Sequence, residues 1–540
     1  MKKYLFSLIT IITPLITFAQ ESTSEKFDRL FKEYTGWFVD GIFYEIPFSE
    51  EYKIPWVLIV LIGGALFFTF YFRFINITGF RTALKVVQGK YEDIEKHGAD
   101  TLYGDPTENL DHNVFETIRD DSAHGEVSHF QALTAALSAT VGLGNIAGVA
   151  VALSIGGPGA TFWMILAGLL GMASKFAECT LGVKYRDVGE DGTVYGGPMY
   201  YLTKGFREKN MGGFGKVLAI LFAVFVIGGS FGGGNMFQAN QAAAQFIKLF
   251  SFESDNAGMY FGIVMAVIVA IVIIGGIKRI ASVTEKIVPF MAGIYVLAAL
   301  IILGANYKHI GDAFGLIFEG AFSGLGIAGG LVGVMIQGIR RGAFSNEAGV
   351  GSAAIAHSAV RTKYPASEGI VALLEPFVDT VVICTMTALV IIITNYEGHF
   401  MEYGVEIKEG VELTATAFDS VIPHFSIILT VAVILFAFST MISWSYYGMQ
   451  GWVYLFGKGK VSDLVYKILF LVFVVIGSSI SLGAVIDFSD AMIFAMVVPN
   501  IIGVIILSPV INRELKKYLK AINVKHEALD EGAEDLTKHM

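Results

Sequence analysis

The chain has 540 residues, of which 54% are hydrophobic and 16% are charged, and its mean hydropathy is +0.62. Typical soluble domains carry roughly 25% charged residues, so this composition excludes an ordinary soluble protein and predicts a single integral membrane domain. The formal net charge of −10 lies largely in polar flanks, and no basic face for nucleic acid is visible. The two cysteines, Cys179 and Cys384, lie in apolar runs and indicate neither a disulfide framework nor a zinc site.

The first 20 residues have the proportions of a signal peptide. Lys2 and Lys3 precede a short apolar core from Tyr4 to Phe18, and a polar run follows. We expect this segment to be cleaved; the alternative is an uncleaved extra helix, for which the core is short. Cleavage predicts that residues 21–54 begin on the periplasmic side of a bacterial cytoplasmic (inner) membrane.

Runs of about 20 apolar residues predict an all-α bundle of membrane-spanning helices. A leader helix is expected over residues 55–74, a polar cytoplasmic connector over 75–127, a ten-helix core over 128–510 and a cytoplasmic tail over 511–540. The ten core helices are expected near residues 128–155, 158–183, 214–248, 258–277, 285–304, 314–339, 367–394, 424–448, 465–485 and 488–510.

The distribution of Lys and Arg predicts the orientation of these helices. Basic residues follow the leader helix and every second core helix, whereas the opposite joints are nearly free of them. By the positive-inside rule the basic joints are cytoplasmic. The joint after the sixth core helix is one of them, and its basic residues are Arg340, Arg341, Arg361 and Lys363.

The first core span is interrupted by Thr140-Val141-Gly142-Leu143-Gly144-Asn145. Glycine allows a helix to unwind, and the freed amides at the start of the next half-helix attract a carboxylate. The freed carbonyls and the Asn145 side-chain oxygen suit a hard monovalent cation. The alternative is close helix packing, because Gly144 and Gly148 form a small-xxx-small pattern.

A second interruption is predicted in the sixth core helix, between Ser323 and Gly330, and includes Gly324 and Gly326. Broken helices at the first and sixth of ten positions are expected when two five-helix halves form an inverted repeat. This correspondence favours a binding site over packing. The glycines also fit a dinucleotide-binding fingerprint, but no strand precedes them. Gly457–Lys460 lacks the spacing of a phosphate-binding loop, so ATP-driven transport has no support.

Two motifs resemble those of the alanine or glycine:cation symporter family, the sodium:alanine symporters. Residues 156–164 read GGPGATFWM, and residues 341–353 read RGAFSNEAGVGSA, which resembles the family's cytoplasmic motif. The resemblance implies a leucine-transporter-like 5+5 inverted repeat with one extra N-terminal transmembrane helix. It also implies sodium-coupled import of a small neutral amino acid, alanine or glycine, by alternating access.

The same resemblance implies roles for particular residues. The amides of Leu143 and Gly144 would bind the substrate carboxylate, and the Thr140 carbonyl with Asn145 would hold one sodium ion. The Val141 carbonyl, with Ser439 and Thr440 of the eighth core helix, would hold a second sodium ion. Hydroxyls in membrane helices often bond to their own backbone, and this alternative applies most to nearby Ser443. The substrate-binding candidates are Gly142, Leu143, Gly144, Asn235, Gln238, Ser323, Gly324 and Gly326.

Asp379 lies within the predicted seventh core helix. An ionisable residue at that depth is a functional candidate by default. It could face the cation or the substrate ammonium group, or it could pair with a neighbouring side chain. It is also the obvious proton carrier if the protein is a proton symporter.

Two further groups of polar residues lie within predicted spans. Asn235, Gln238 and Gln241 share one face of the third core helix, where they would line the cavity or hold helices together. Lys175 and Glu178 are three residues apart in the second core helix, which predicts a local ion pair or a gate element.

Other classes of protein fit the sequence less well. A channel would usually need a continuous polar pathway or an oligomeric filter, and no catalytic motif of a membrane enzyme is present. A proton-coupled symporter or a sodium-independent exchanger remains an alternative to sodium coupling. The expected partners are a small neutral amino acid, sodium as the coupling ion and the lipid bilayer, with no other cofactor.

Overall fold

The computed structural model describes residues 23–49, 52–97, 125–190, 192–252, 254, 256–323, 330–398, 400–405, 410–480 and 482–538. The predicted signal peptide, residues 1–20, lies outside these ranges. The described chain is a helical bundle with two small antiparallel sheets of two strands each.

The N-terminal region leads into the bundle through one apolar helix. In one sheet, Ile46 of β1 pairs with Ile54 of β2. The apolar helix α2 lies within the predicted leader helix. The elements are α1 (Thr23–Ile42), β1 (Glu45–Pro47), β2 (Lys53–Pro55), α2 (Trp56–Tyr71), α3 (Ile75–Thr78), α4 (Phe80–Val87) and α5 (Glu92–His97).

The core continues with the following elements. The first part contains α6 (His129–Thr140), a π-helical turn (Gly144–Gly148), α7 (Val149–Gly156), α8 (Ala160–Lys184), β3 (Asp187–Val188), β4 (Val194–Tyr195), α9 (Pro198–Glu208), α10 (Gly212–Phe231), a π-helical turn (Gly232–Met236), α11 (Phe237–Phe250), α12 (Ala257–Ile273) and α13 (Gly276–Ala305). The second part contains a 3₁₀ turn (Tyr307–His309), α14 (Ile310–Ser323), α15 (Gly330–Asn346), α16 (Ala353–His357), α17 (Pro365–Ala372), α18 (Leu374–Pro376), a π-helical segment (Phe377–Cys384), α19 (Thr385–Gly398), α20 (Gly410–Asp419), α21 (Phe425–Phe456), α22 (Lys460–Ser479) and α23 (Leu482–Lys538).

Seven helices in the described ranges are long and apolar enough to cross a membrane. The bent pair of α6 with residues 144–156 makes an eighth, and α2 and α12 are shorter apolar helices. The chain is therefore a multi-pass membrane protein. The seven helices coincide with the predicted spans 158–183, 214–248, 285–304, 367–394, 424–448, 465–485 and 488–510.

A capping box fixes the start of α6. The Ser128 hydroxyl accepts a hydrogen bond from the Gln131 amide, and the Gln131 side chain accepts one from the Ser128 amide. These two bonds satisfy donors that the first turn of a helix leaves free. His129 is therefore held in place as the first residue of α6.

The packing of α15 on α8 gives the bundle two distinguishable ends. Gly338 packs on Ala160 and Gly342 on Met164, whereas Ala348, just after α15, meets Gly171. The two segments therefore run side by side in the same direction. We call the end at the start of α8 the outer end, and the end that contains α5 and the close of α8 the inner end.

The predicted interruption of the sixth core helix between Ser323 and Gly330 coincides with the end of α14 and the start of α15, but the predicted helix end at residue 339 and its basic flank are wrong. Residues 314–339 fall on two helices, α14 and α15, and Arg340 and Arg341 lie inside α15. Both arginines donate to Asp490, and the Arg340 guanidinium lies 4.3 Å from the centre of the Phe43 ring. The sequence pattern predicted that these arginines flank the helix on its cytoplasmic side. In the structure the buried carboxylate of Asp490 neutralises them at the outer end, so they can lie within the helix.

The other two basic residues of that joint lie at the inner end. The Arg361 side chain donates to the carbonyl of Gly125, and the Lys363 ammonium donates to the carbonyl of His97. The motif at residues 341–353 therefore lies between the two ends of the bundle.

Candidate functional site

The first core helix is broken where the glycine pattern predicts. α6 ends at Thr140, Val141 leaves the helical conformation with ψ 89°, and the two half-helices are bent by 52°. Among the described residues, no group accepts from the amides of Leu143 and Gly144, and none donates to the carbonyls of Thr140 and Val141. The break therefore presents two buried donors beside two buried acceptors.

Asn145 links this break to the seventh core helix. Its Oδ1 accepts a hydrogen bond of 2.8 Å from the Gly142 amide, and its Nδ2 donates to Asp379 Oδ1 at 2.7 Å. The same Nδ2 lies 3.0 Å from the Asp379 carbonyl oxygen. Asn145 therefore holds the unwound backbone in shape, and its oxygen keeps one lone pair for another partner.

Asp379 is fully buried and is surrounded by neutral donors. Its Oδ2 accepts from the hydroxyls of Ser345 and Thr380, each at 2.7 Å, while Oδ1 accepts from Asn145. In the described part of the chain no Lys or Arg side chain forms an ion pair with it. Three roles were considered for Asp379: facing the cation, facing the substrate ammonium group, or bonding to neighbouring side chains. The structure shows the third, hydrogen bonding to neighbouring side chains.

A second break, which no sequence pattern was used to predict, lies beside the first. The chain leaves α15 after Asn346 and resumes as α16 at Ala353, and Glu347, Gly349 and Gly351 have positive φ angles of 54°, 83° and 92°. A Cβ atom on Gly144 would lie 3.5 Å from Ser345 Cα, at the end of α15. The signal that could have located this break is Gly349-x-Gly351, which repeats the Gly142-x-Gly144 spacing.

Hydroxyl groups join the first half-helix to α21. The Ser138 hydroxyl donates to the Ser439 carbonyl at 2.7 Å, and the Thr440 hydroxyl donates to the Ser138 carbonyl at 3.0 Å. The Thr440 hydroxyl oxygen also lies 2.6 Å from the position of a Cβ atom on Gly142. The Ser439 hydroxyl bonds to Phe436 of its own helix. Ser443 Oγ has no partner among the described residues.

Two side chains of the third core helix differ in their contacts. Gln238 Nε2 donates to the Gly233 carbonyl, while Oε1 is buried without a partner among the described residues, 3.5 Å from the Cβ position of Gly142. Asn235 Nδ2 instead donates to the Phe470 carbonyl of α22 at 2.6 Å. The structure therefore brings Gln238 to the first break, whereas Asn235 joins two helices.

The last turn of α14, which ends at Ser323, packs beside the start of α8. The Trp163 indole near the start of α8 donates to the Ala321 carbonyl, and the Phe322 ring packs on Trp163. These contacts put the end of α14 at the outer end of the bundle. Gly324 and Gly326 lie outside the described residues.

The predicted local ion pair between Lys175 and Glu178 is not present. Lys175 Nζ instead lies 2.9 Å from Glu375 Oε1, and both side chains are completely buried. Glu178 accepts a hydrogen bond from Asn500 of α23 at 2.9 Å. Helix spacing permits the local pair, but a carboxylate 200 residues away in the sequence is better placed to neutralise the lysine.

The described residues hold no group of three or more His, Cys, Asp or Glu side chains that could hold a metal ion. A cation at the first break would therefore be bound by carbonyl, amide and hydroxyl oxygens. Such hard, neutral oxygen ligands suit a monovalent ion such as sodium better than a transition metal, which favours nitrogen and sulfur.

The chain is similar in fold to a solved transporter. The crystal structure of MhsT in complex with L-phenylalanine superposes with a TM-score of 0.52 and 13% sequence identity, over 74% of this chain and 99% of that chain. MhsT has the leucine-transporter fold. At this level of identity the likeness concerns the fold alone.

Relatives with higher identity are also transporters. The chain is 39% identical over 465 residues to the sodium/alanine symporter AgcS of Methanococcus maripaludis, covering 86% of this chain and 94% of AgcS. It is 34% identical to the probable sodium/glutamine symporter GlnT of Bacillus subtilis, covering 73% and 79% of the two chains. It is also 34% identical to the putative sodium/proton-dependent alanine carrier protein YrbD of the same bacterium, covering 75% and 84%.

The family comparison covers the whole helical core. Residues 107–531 match the sodium:alanine symporter family, and this range includes both breaks and both motifs that the sequence analysis singled out. The chain belongs to the sodium:alanine symporter family.

Proposed function

We propose that this protein is a sodium-coupled symporter that imports a small neutral amino acid, alanine or glycine, across a bacterial cytoplasmic membrane by alternating access. The observation that carries the proposal is the backbone of the first break, with two amides and two carbonyls buried without partners among the described residues. Leaving a buried polar group unsatisfied costs about 1–3 kcal/mol. A zwitterionic substrate and a cation would satisfy these groups together.

The amides of Leu143 and Gly144 stand at the start of the second half-helix, where the backbone dipole favours an anion. They would bind the substrate carboxylate. The Phe344 ring lies 3.7 Å from the Cβ position of Gly144, which limits the room for a substrate side chain there. This restriction supports alanine or glycine over larger amino acids, and the name of AgcS supports alanine.

Sodium would be held by the groups on the other side of the break. The Thr140 carbonyl and Asn145 Oδ1 would bind one ion, and the Val141 carbonyl, Ser439 and Thr440 a second. A hydroxyl that donates a hydrogen bond keeps lone pairs for a cation, so the bond from Thr440 to Ser138 is compatible with this role. Sodium binding would order the break and raise the affinity for substrate.

The proposed architecture is a 5+5 inverted repeat preceded by one extra helix. The breaks after Thr140 and after Asn346 would be equivalent positions in the two halves, and α2 would be the extra helix. Residues 1–20 would be a cleaved signal peptide, residues 21–54 periplasmic, and residues 75–127 and 511–540 cytoplasmic.

Proton coupling is the second candidate function, and one observation favours it. Asp379 is a buried carboxylate whose partners are Asn145, Ser345 and Thr380, all neutral. A buried carboxylate with no cationic partner among the described residues is a natural proton acceptor. The relative YrbD carries both sodium and proton in its name.

Uptake of radiolabelled alanine into proteoliposomes tests these functions. An inward sodium gradient, with equal pH on both sides and potassium as the control ion, should drive accumulation. A pH gradient without sodium should not. Accumulation driven by the pH gradient alone would support proton coupling, and equal counterflow in sodium and in potassium would support a sodium-independent exchanger.

A further inference from the structure

A chain of ionisable side chains runs through the inner end of the bundle, separate from the groups proposed to bind substrate and sodium. Its members come from seven different elements, so it is a product of the tertiary fold. The side chains are buried, and even the most exposed, that of His129, is 13% exposed. In order from the bundle interior, the chain consists of Lys175, Glu375, His357, Glu368, His129, Glu95 and Tyr518.

His129 lies between two carboxylates. Its Nε2 is 2.5 Å from Glu95 Oε2 on α5, and its Nδ1 contacts Glu368 Oε2 on α17. A neutral imidazole has one N–H and one lone pair. With both carboxylates ionised, a neutral ring would set its lone pair against an anion in one of the two contacts. The geometry therefore needs one additional proton, shared among these three groups.

His357 repeats part of this arrangement deeper in the bundle. Its Nδ1 is 2.5 Å from Glu368 Oε1, and its Nε2 is 3.5 Å from Glu375 Oε2. Glu368 is therefore shared between two histidines. The longer second contact makes His357 the weaker of the two proton sites.

We propose that His129 with its two carboxylates is a proton-operated latch that holds the inner end of the bundle closed. The protonated ring joins three elements, α5, α6 and α17, by two charge-assisted contacts. When the proton leaves, one of those contacts is lost and two buried anions face each other, which loosens the start of α6. Because α6 leads directly to the first break, a rise in cytoplasmic pH favours opening toward the inside.

The pH at which His129 loses its proton depends on the ionisable groups of the elements that pack against it. The groups that face it are Glu95 and Glu92 of α5 and Glu368 of α17, with His357 of α16 and Glu375 of α18 reaching it through Glu368. On α13, Glu285 accepts a hydrogen bond from the Gln131 side chain.

Thiol labelling measures the latch directly in the full chain, without substrate or sodium. Thr134 of α6 is 2% exposed, and both native cysteines are buried. A cysteine at Thr134 in inverted membrane vesicles should react with an impermeant maleimide when the inner end opens. The rate is divided by that of a cysteine at exposed Lys517, which removes the intrinsic pH dependence of thiol reactivity.

The rate ratio should rise with pH by up to about tenfold per pH unit, the slope that one proton gives, and then level off. His129→Gln should make the ratio high and independent of pH. His526→Gln is the matched control, since this histidine also lies at the inner end but contacts the Tyr91 hydroxyl, and it should keep the wild-type profile.

Glu95→Gln provides a second test that preserves packing and the contact with Tyr518. The glutamine oxygen would accept from Tyr518 and its amide nitrogen would donate to the His129 lone pair. The neutral ring therefore keeps both contacts without an additional proton, so labelling should stay low and lose its pH dependence. A wild-type pH profile in either His129→Gln or Glu95→Gln would overturn the latch. Because the readout is labelling alone, failure of sodium-coupled transport would not affect it.

Discussion

The two breaks at the centre of the bundle lie side by side but differ in the groups that hold them in shape. At the first break, Leu143 and Gly144 keep free amides among the described contacts. At the second, the Ala348 amide bonds to the Asn346 side chain and the Val350 amide to the Glu347 carbonyl. The amides of Gly349 and Gly351 also have no partner among the described residues, so the second break satisfies only part of its own backbone.

The side chains distinguish the two breaks more clearly. The first break contains no charged residue. The second contains Glu347, whose carboxylate accepts hydrogen bonds from the Ser352 hydroxyl and from the Trp444 indole at 3.1 Å. Buried polar groups that are fully bonded make a structure rigid. We infer that Glu347 holds the second break in shape and that this break supports the first. Substitutions at the first break should therefore change binding, and those at the second should change stability.

Gly144→Leu should have the largest effect on binding. The side chain would extend from a Cβ position only 3.7 Å from the Phe344 ring into the space where the amides meet the carboxylate. Alanine affinity should fall by about 100-fold or more, equivalent to about 2.7 kcal/mol. Gly144→Ala is the control, since its methyl group would lie at an ordinary contact distance of 3.5 Å from Ser345 Cα. Normal alanine binding by folded Gly144→Leu would remove the amides from the site.

The double change Ser439→Ala with Thr440→Val should weaken sodium binding. Removing a ligand oxygen from a buried cation costs on the order of 1–3 kcal/mol, which is roughly tenfold to hundredfold in the sodium concentration for half-maximal uptake. Apparent alanine affinity should recover at saturating sodium. Ser439→Ala alone separates the two hydroxyls, because Ser439 already bonds to its own helix. An unchanged sodium curve with a lower melting temperature would indicate a structural role.

Gly351→Ala should lower stability with little effect on binding. Its φ of 92° is unfavourable for a residue with a Cβ atom, and that atom would lie 2.8 Å from Asn500 Cγ. The left-handed conformation alone costs about 1–2 kcal/mol, so the melting temperature should fall. Gly148→Ala is the matched control, because nothing lies within 4 Å of its Cβ position. Loss of alanine affinity at full thermal stability would give the second break a direct role in binding.

The first break could be predicted from sequence because its signal is local. Two glycines and an asparagine interrupt an apolar run, and no distant residue is needed to recognise them. The apolar spans were predictable for the same reason. The ion-pair partner of Lys175, by contrast, is Glu375, which is distant in the sequence. Spacing along one helix could suggest only Glu178 as its partner.

The break after Asn346 was not predicted, because a distant charge neutralises the two arginines before it. Arg340 and Arg341 read as the end of a membrane helix, but Asp490, 150 residues beyond Arg340, lets them stay inside α15. That contact moves the end of the helix to Asn346 and the break to the glycines that follow. The cross-helix bonds of Ser138 also depend on tertiary packing, and no local pattern marks them.

Equilibrium binding of alanine to the purified protein, measured against sodium concentration, tests the central claim that the first break binds carboxylate and cation together. The pH is kept constant, and potassium replaces sodium so that the ionic strength does not change. Under these conditions the dissociation constant for alanine should fall as the sodium concentration rises. Alanine should strengthen sodium binding by the same factor, as linkage requires. An alanine affinity that is identical in sodium and in potassium would contradict the account.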